Sequence, residues 1–133
     1  MKLHHIGFVV KDLSSTVNTL ESVLGLKPMG KPFLDKTQQV NEIFLKASPT
    51  LIQLFEPISE KSPVSNFLRK HGEKLHHLCF EVDNLDGLIK KMKSKGIKII
   101  WEPFKGFEGR RVAFIDPQQL RGLLVELVER GKK

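Results

Sequence analysis

The chain carries the same text twice. LHHIGFVVKDL at residues 3–13 returns as LHHLCFEVDNL at residues 75–85, identical at six of eleven positions and offset by 72. LIQLFE at residues 51–56 returns as LVELVE at residues 124–129, offset by 73. Two separated segments repeating at nearly one spacing mark an internal duplication with a pseudo-twofold axis. The two copies share 133 residues, a length that suits one domain with a real hydrophobic core.

The local patterns in each copy agree. Leu3–Val10 alternates and is rich in β-formers, so it reads as a strand. Asp12 then opens a helix striped by Leu13, Val17, Leu20 and Leu24 and stopped by Gly25. After a turn-rich stretch come two strands, 38–46 and 50–56, divided by Ser48-Pro49. Residues 57–73 connect the copies, with Ser62-Pro63 opening a short helix over 64–70 that Gly72 ends. The second copy restarts with a strand at 74–82. Asn84 or Asp86 caps a helix striped by Leu85, Leu88, Ile89 and Met92, and strands follow at 98–101, 110–115 and 123–129. The expected class is α+β. One domain, 1–133, is built from two strand–helix–strand–strand–strand modules at about 1–56 and 74–130.

Charge excludes little. Lys and Arg number 22 against 15 Asp and Glu, a net charge of +7. Four of the lysines (Lys90, Lys91, Lys93, Lys95) lie on one helix, where they read as a solvated face. No aromatic-rich strand or recognition motif accompanies the charge, so no nucleic-acid partner is expected. No apolar run approaches the roughly 18–20 residues that span a bilayer, so no membrane association is expected. Met1-Lys2 leads straight into the first strand, without the look of a cleavable leader. The single cysteine, Cys79, has no internal partner, and a cytoplasmic setting is the simplest.

Parity along the strands selects the polar residues that matter. His4, Ile6, Phe8 and Val10 share one face of the first strand, and the more apolar face seats the helix. His5 is left on the other face, and His77 takes the equivalent place in the repeat. Gln53 and Glu126 are the lone polar residues of the matching apolar strands. A buried polar group without a partner costs free energy, and the duplication supplies partners if the four converge. Two imidazoles, an amide oxygen and a carboxylate form an N₂O₂ set suited to a divalent ion of the Co, Mn, Fe, Ni or Zn type. His4 and His76 fall on the helix side, His71 falls in a loop, and Cys79 reads as a small filler beside His77.

These stretches, with LIQLFEPISEKSPVSNFLRKHGEKLHHLCFEVDNL, GRRVAFIDP and GLLVELVE, resemble the vicinal oxygen chelate superfamily, and within it the methylmalonyl-CoA epimerases. The resemblance spans nearly the whole chain. It implies paired β-α-β-β-β modules in an open, cup-shaped mixed barrel with helices outside. It implies metal ligation by His5, Gln53, His77 and Glu126, the four that parity selects. The implied chemistry is proton abstraction next to a thioester carbonyl through an enolate held on the metal, with Glu126 one of the proton carriers. The implied substrate is a small anionic molecule, with acyl-CoA the candidate class, and the implied assembly is a homodimer. Two alternatives remain: a glyoxalase-type lyase acting on a glutathione adduct, and a non-catalytic small-molecule-binding protein of the same fold.

The sequence departs from the epimerases at one place. They carry a second Glu just before a Gln-Gly-Val triplet, and here Thr37 precedes Gln38-Gln39-Val40. Parity places Thr37, Gln39 and Asn41 on the inner face as a hydrogen-bonding wall, with Glu42 on the opposite face. Arg111, with the parity of Ala113, is expected to face inward beside the loop Gly106–Gly109, whose backbone N–H groups suit an anion.

Overall fold

The computed structural model describes residues 1–131. Its elements are β1 (Lys2–Val9), α1 (Leu13–Leu24), β2 (Lys27–Pro28), β3 (Phe33–Asp35), β4 (Val40–Ala47), β5 (Thr50–Pro57), α2 (Pro63–His71), β6 (Lys74–Val82), α3 (Leu85–Ser94), β7 (Ile99–Lys105), β8 (Arg111–Ile115) and β9 (Val125–Glu129). The class is α+β, as expected. Among the described residues, no helix is long and apolar enough to cross a membrane. The chain divides into two compact units. The N-terminal unit is His5–His76, and the C-terminal unit is His77 onward together with Met1–His4.

In the N-terminal unit the strands lie in the order β2-β4-β5-β1, with β3 also paired to β4. β1 and β5 run parallel, while β4 pairs antiparallel with β5, β2 and β3. Helix α1 starts where its sequence says it should. The Asp12 carboxylate accepts the Ser15 N–H at 3.0 Å, and the Glu56 carboxylate accepts the Leu13 N–H at 2.8 Å, satisfying two donors that a helix start leaves open. Gly25 stops it at φ 70°, a left-handed conformation that a side chain would strain. Leu13, Val17 and Leu20 pack against Val10, Ile43, Leu45, Leu54, Phe8 and Ile52. Leu24, expected in that stripe, is 64% exposed because it falls in the last turn, past the edge of the sheet-facing stripe. Helix α2 packs Val64, Phe67 and Leu68 on Val9, Val40 and Phe55, the other side of the same strands.

The C-terminal unit orders its strands β6-β9-β8-β7. Again the first and last strands are parallel neighbours, and the rest are antiparallel. The Asn84 side chain accepts the Gly87 N–H at 2.9 Å and caps α3. Leu85 and Ile89 of α3 are buried against Val82, Ile99, Ala113, Ile115, Val125 and Leu127. The opposite side holds a smaller cluster of Cys79, Val112, Val128 and Phe104. The turn-rich stretch after α1 contains two short strands that composition alone does not show. The strand expected from residue 38 begins only at Val40, because residues 36–39 form a turn.

Candidate functional site

Residues directly across a ladder share a face of the sheet. In the N-terminal unit Gly7 pairs with Gln53, Gln53 with Phe44, and Phe55 with Glu42. His5, Gly7, Gln53, Phe44 and Glu42 therefore share the face turned away from α1. His5 is 1% exposed, and its ring meets Phe44 edge-on at 5.4 Å and 82°. The Gln53 amide Nε2 donates to the Glu42 carboxylate. Its Oε1 is shut off from solvent and has no hydrogen-bond partner among the described residues. An unsatisfied buried acceptor is costly, and it invites an explanation such as a bound ion.

The C-terminal unit repeats the arrangement. Cys79 pairs with Glu126, Glu126 with Phe114, and Val112 with Val128. His77 is 6% exposed, its ring edge-on to Phe114 at 6.0 Å and 74°. His77 Nε2 lies 3.8 Å from Glu126 Oε1. Each unit thus holds a histidine against a phenylalanine, with an oxygen donor directly across the ladder from that phenylalanine. Cys79 lies across the ladder from Glu126, in the small apolar cluster with Val112 and Val128. It is fully buried, and burial, then the Glu126 charge, pushes its thiol well above the ordinary range.

Several expected residues are placed elsewhere. Arg111 turns to the α3 side, because Glu126 pairs with Phe114, so Phe114 and Val112 hold the site face while Ala113 joins the α3 core. There Arg111 makes a bidentate pair with Asp86 at 2.7 and 2.9 Å. That hydrogen bonding lowers the Asp86 carboxyl and raises the Arg111 guanidinium from their ordinary values. The inward arginine is Arg110. It donates to Glu81 at 2.9 Å and to the Glu129 carbonyl at 3.3 Å, and meets His4 Nε2 at 2.8 Å. The hydrogen bond from Arg110 holds the Glu81 carboxyl below the usual range. The backbone N–H groups of Gly106 and Gly109 are taken by the Arg110 and Gly106 carbonyls at 2.8 and 3.0 Å, so neither offers an anion nest. His76, expected on the helix side, packs edge-on against Phe55 at 5.2 Å and Phe67 at 4.8 Å.

The wall expected of Thr37, Gln39 and Asn41 does not form. Thr37 is exposed in the turn, its N–H bound by the Asp35 carboxylate at 2.9 Å. Gln39 has φ 52°, and its side-chain oxygen accepts from Ser59 Oγ at 2.8 Å. Asn41 lies on the α1 side with Ile43 and Leu45. The polar group on the site face is Glu42, 6% exposed, which parity counted from Thr37 puts on the wrong side. The turn breaks that count. Counting back across the two-residue hairpin at Ser48-Pro49 pairs Ala47 with Thr50 and Phe44 with Gln53, and finds Glu42 from sequence alone.

Known proteins place the chain. A family model of the glyoxalase/bleomycin resistance protein/dioxygenase superfamily matches residues 4–114. An ethylmalonyl-CoA/methylmalonyl-CoA epimerase of Cereibacter sphaeroides is 32% identical, over 95% of this chain and 96% of its own length. The crystal structure of methylmalonyl-CoA epimerase from Mycobacterium tuberculosis superposes with a TM-score of 0.92 at 30% identity, covering 98% of this chain and 89% of that one. A Streptomyces coelicolor methylmalonyl-CoA epimerase in complex with 2-nitronate-propionyl-CoA gives 0.90 at 29% identity, over 99% of both chains. The chain belongs to the glyoxalase/bleomycin resistance protein/dioxygenase superfamily and is an epimerase-like enzyme within it.

Proposed function

We propose that this protein epimerises a small acyl-CoA thioester of the methylmalonyl-CoA kind, with His5, Gln53, His77 and Glu126 holding a divalent metal ion. The observation that supports the reading is Gln53 Oε1, a buried acceptor without a hydrogen-bond partner among the described residues, on the face that also carries His5. The donor set suits the ion. Two neutral imidazoles, one amide oxygen and one carboxylate leave a divalent cation a net positive charge of about one. When bound, the ion supplies Lewis-acid stabilisation of the negative charge that develops on the carbonyl oxygen as the α proton leaves.

The remaining chemistry falls to side chains. Glu126, the only carboxylate of the four, is one partner of the α-proton transfer: it handles the proton on one face of the enolate, and a second acid delivers one to the other face. Glu126 is 13% exposed, with the His77 ring beside it. Phe44 and Phe114 wall the two donors with apolar rings, and Trp101 extends the second wall, 4.9 Å from Phe114. Such walls exclude water and strengthen the electrostatics at the reacting centre. The net charge of +7 favours encounter with an anionic thioester, and the acyl-CoA complex of the Streptomyces relative supports that class. The single cysteine, free and buried, fits a cytoplasmic setting, and the family resemblance supports a homodimer.

The test is deuterium incorporation. Protein loaded with cobalt(II) is incubated with methylmalonyl-CoA in D₂O, and the α position is followed by NMR. Exchange at that position is expected. Absence of exchange in metal-loaded protein overturns the reading and directs attention to a glutathione-adduct lyase or a binding protein.

A further inference from the structure

Strand β7 breaks its own alternation to put aromatic rings on the site face of the C-terminal unit. Ile99 pairs with Ile115, and both lie in the α3 core. In unbroken register Trp101, two residues on, would pair with Ala113 and face the same core. The ladder instead slips between Ile99 and Trp101, and again between Trp101 and Phe104. A one-residue slip turns a side chain to the other face of a sheet. The first slip pairs Trp101 with Phe114, and the second pairs Phe104 with Val112. Both rings thereby join the face of Glu126, which pairs with Phe114 from the other side. Bulges of this kind recur beside active sites, where they re-aim a side chain.

One row across the unit then reads Cys79, Glu126, Phe114, Trp101. The Trp101 ring meets Phe114 edge-on at 4.9 Å and Phe104 at 6.5 Å, while Phe104 stacks on Phe114 at 6.3 Å and 11°. Phe114 is buried, but Trp101, on the edge strand of the unit, is 41% exposed. The N-terminal unit carries the same stack. Phe33 lies on Phe44 at 6.4 Å and 15°, and Phe33 is 47% exposed. Half-exposed rings repeated on the site face of both copies leave apolar surface of the kind that lines a ligand site.

From this we infer that Trp101 determines acyl-group specificity, by packing against an apolar substituent on the α carbon that is longer than methyl. The inference rests on the epimerase reading above and narrows its substrate class to malonyl-CoA thioesters with a longer alkyl chain. Neighbouring strands lie about 4.8 Å apart, so Trp101 stands two spacings, about 10 Å, from Glu126 along the row. A methyl group on a carbon held at Glu126 ends over Phe114. A butyl chain crosses Phe114 and reaches the indole. The contact is with a part of the substrate remote from the reacting carbon, so it is read in kcat/KM.

The experiment compares deuterium exchange at the α position of methylmalonyl-CoA and butylmalonyl-CoA, using cobalt(II)-loaded wild type and Trp101→Ala. In wild type kcat/KM is expected to favour butylmalonyl-CoA. Trp101→Ala is expected to cut that preference by about 15–60-fold, the worth of two or three buried methylenes at about fourfold each. A wild type that favours methylmalonyl-CoA overturns the inference. So does an equal loss on both substrates, the mark of a ring that only supports Phe114. Exchange with neither substrate overturns the epimerase reading and takes this inference with it, a result distinct from the other two. Should Trp101→Ala not fold, wild-type fluorescence decides, because Trp101 is the chain's single tryptophan. In zinc(II)-loaded protein, butylmalonyl-CoA is expected to shift the emission to shorter wavelength, as an indole leaving water does, and free coenzyme A to leave it in place. An emission unmoved by butylmalonyl-CoA overturns the inference. So does an equal shift with free coenzyme A, which would put the pantetheine arm on the ring.

Discussion

Glu126 Oε1 lies 3.8 Å from His77 Nε2, with both side chains almost out of solvent. An amide in place of this carboxylate keeps an oxygen donor, as Gln53 shows in the matching position, but cannot carry a proton. Glu126→Gln is therefore expected to keep its metal while α-proton exchange falls by about 10²–10⁴-fold. Metal analysis and the rate of deuterium incorporation, measured on one preparation, check both halves. Undiminished exchange would remove Glu126 as a proton carrier.

Cys79 is expected to be inert. Its thiol is fully buried, and burial together with the Glu126 charge opposes the thiolate, the reactive form. Ellman's reagent at pH 8 should label the native protein at no appreciable rate and the denatured protein completely. Fast labelling of native protein would mean that this face opens to solvent.

The Arg110–Glu81 pair predicts a pH dependence. The folded-state Glu81 pKa is depressed, chiefly by the hydrogen bond from Arg110. Its contribution is present above the unfolded-state value and is lost as pH falls through the folded one. Wild type should exceed Glu81→Gln in stability at pH 7, by on the order of 1 kcal/mol given its partial exposure. The gap should close below the ordinary glutamate range. Asp86→Asn, which breaks the exposed Arg111 pair, should leave the urea midpoint unchanged. Urea melts at several pH values check the three proteins.

Gly106 sets the approach of its loop to the site face. A Cβ there would meet the two γ carbons of Val112 at 2.7 and 2.9 Å, and Val112 is fully buried. Gly106→Ala is expected to cost about 1–3 kcal/mol, as forced overpacking does. Denaturant unfolding measures the loss.

Much of this architecture is legible in the sequence because the duplication is. The offsets of 72 and 73 give the module order, and alternation puts His5 with Gln53 and His77 with Glu126 on matched faces. What escapes is whatever depends on a register that alternation does not carry. Residues 36–39 form a turn, so parity counted through Thr37 inverts the faces of Asn41 and Glu42. At β8 the apolar run Val112–Ile115 offers no alternation to read, so the facing of Arg110 and Arg111 is set by the pairing of Phe114 with Glu126. In both cases the ladder partner decides, and the partner is a residue distant in sequence.

The central claim is that each copy of the duplication supplies one histidine and one oxygen donor to a shared ion. Metal content of purified protein, compared with His5→Ala and His77→Ala, tests it most directly. The account predicts one divalent ion per chain in wild type and loss of that ion in both variants, although each leaves the other copy's donors intact. A variant that keeps the wild-type ion would contradict it.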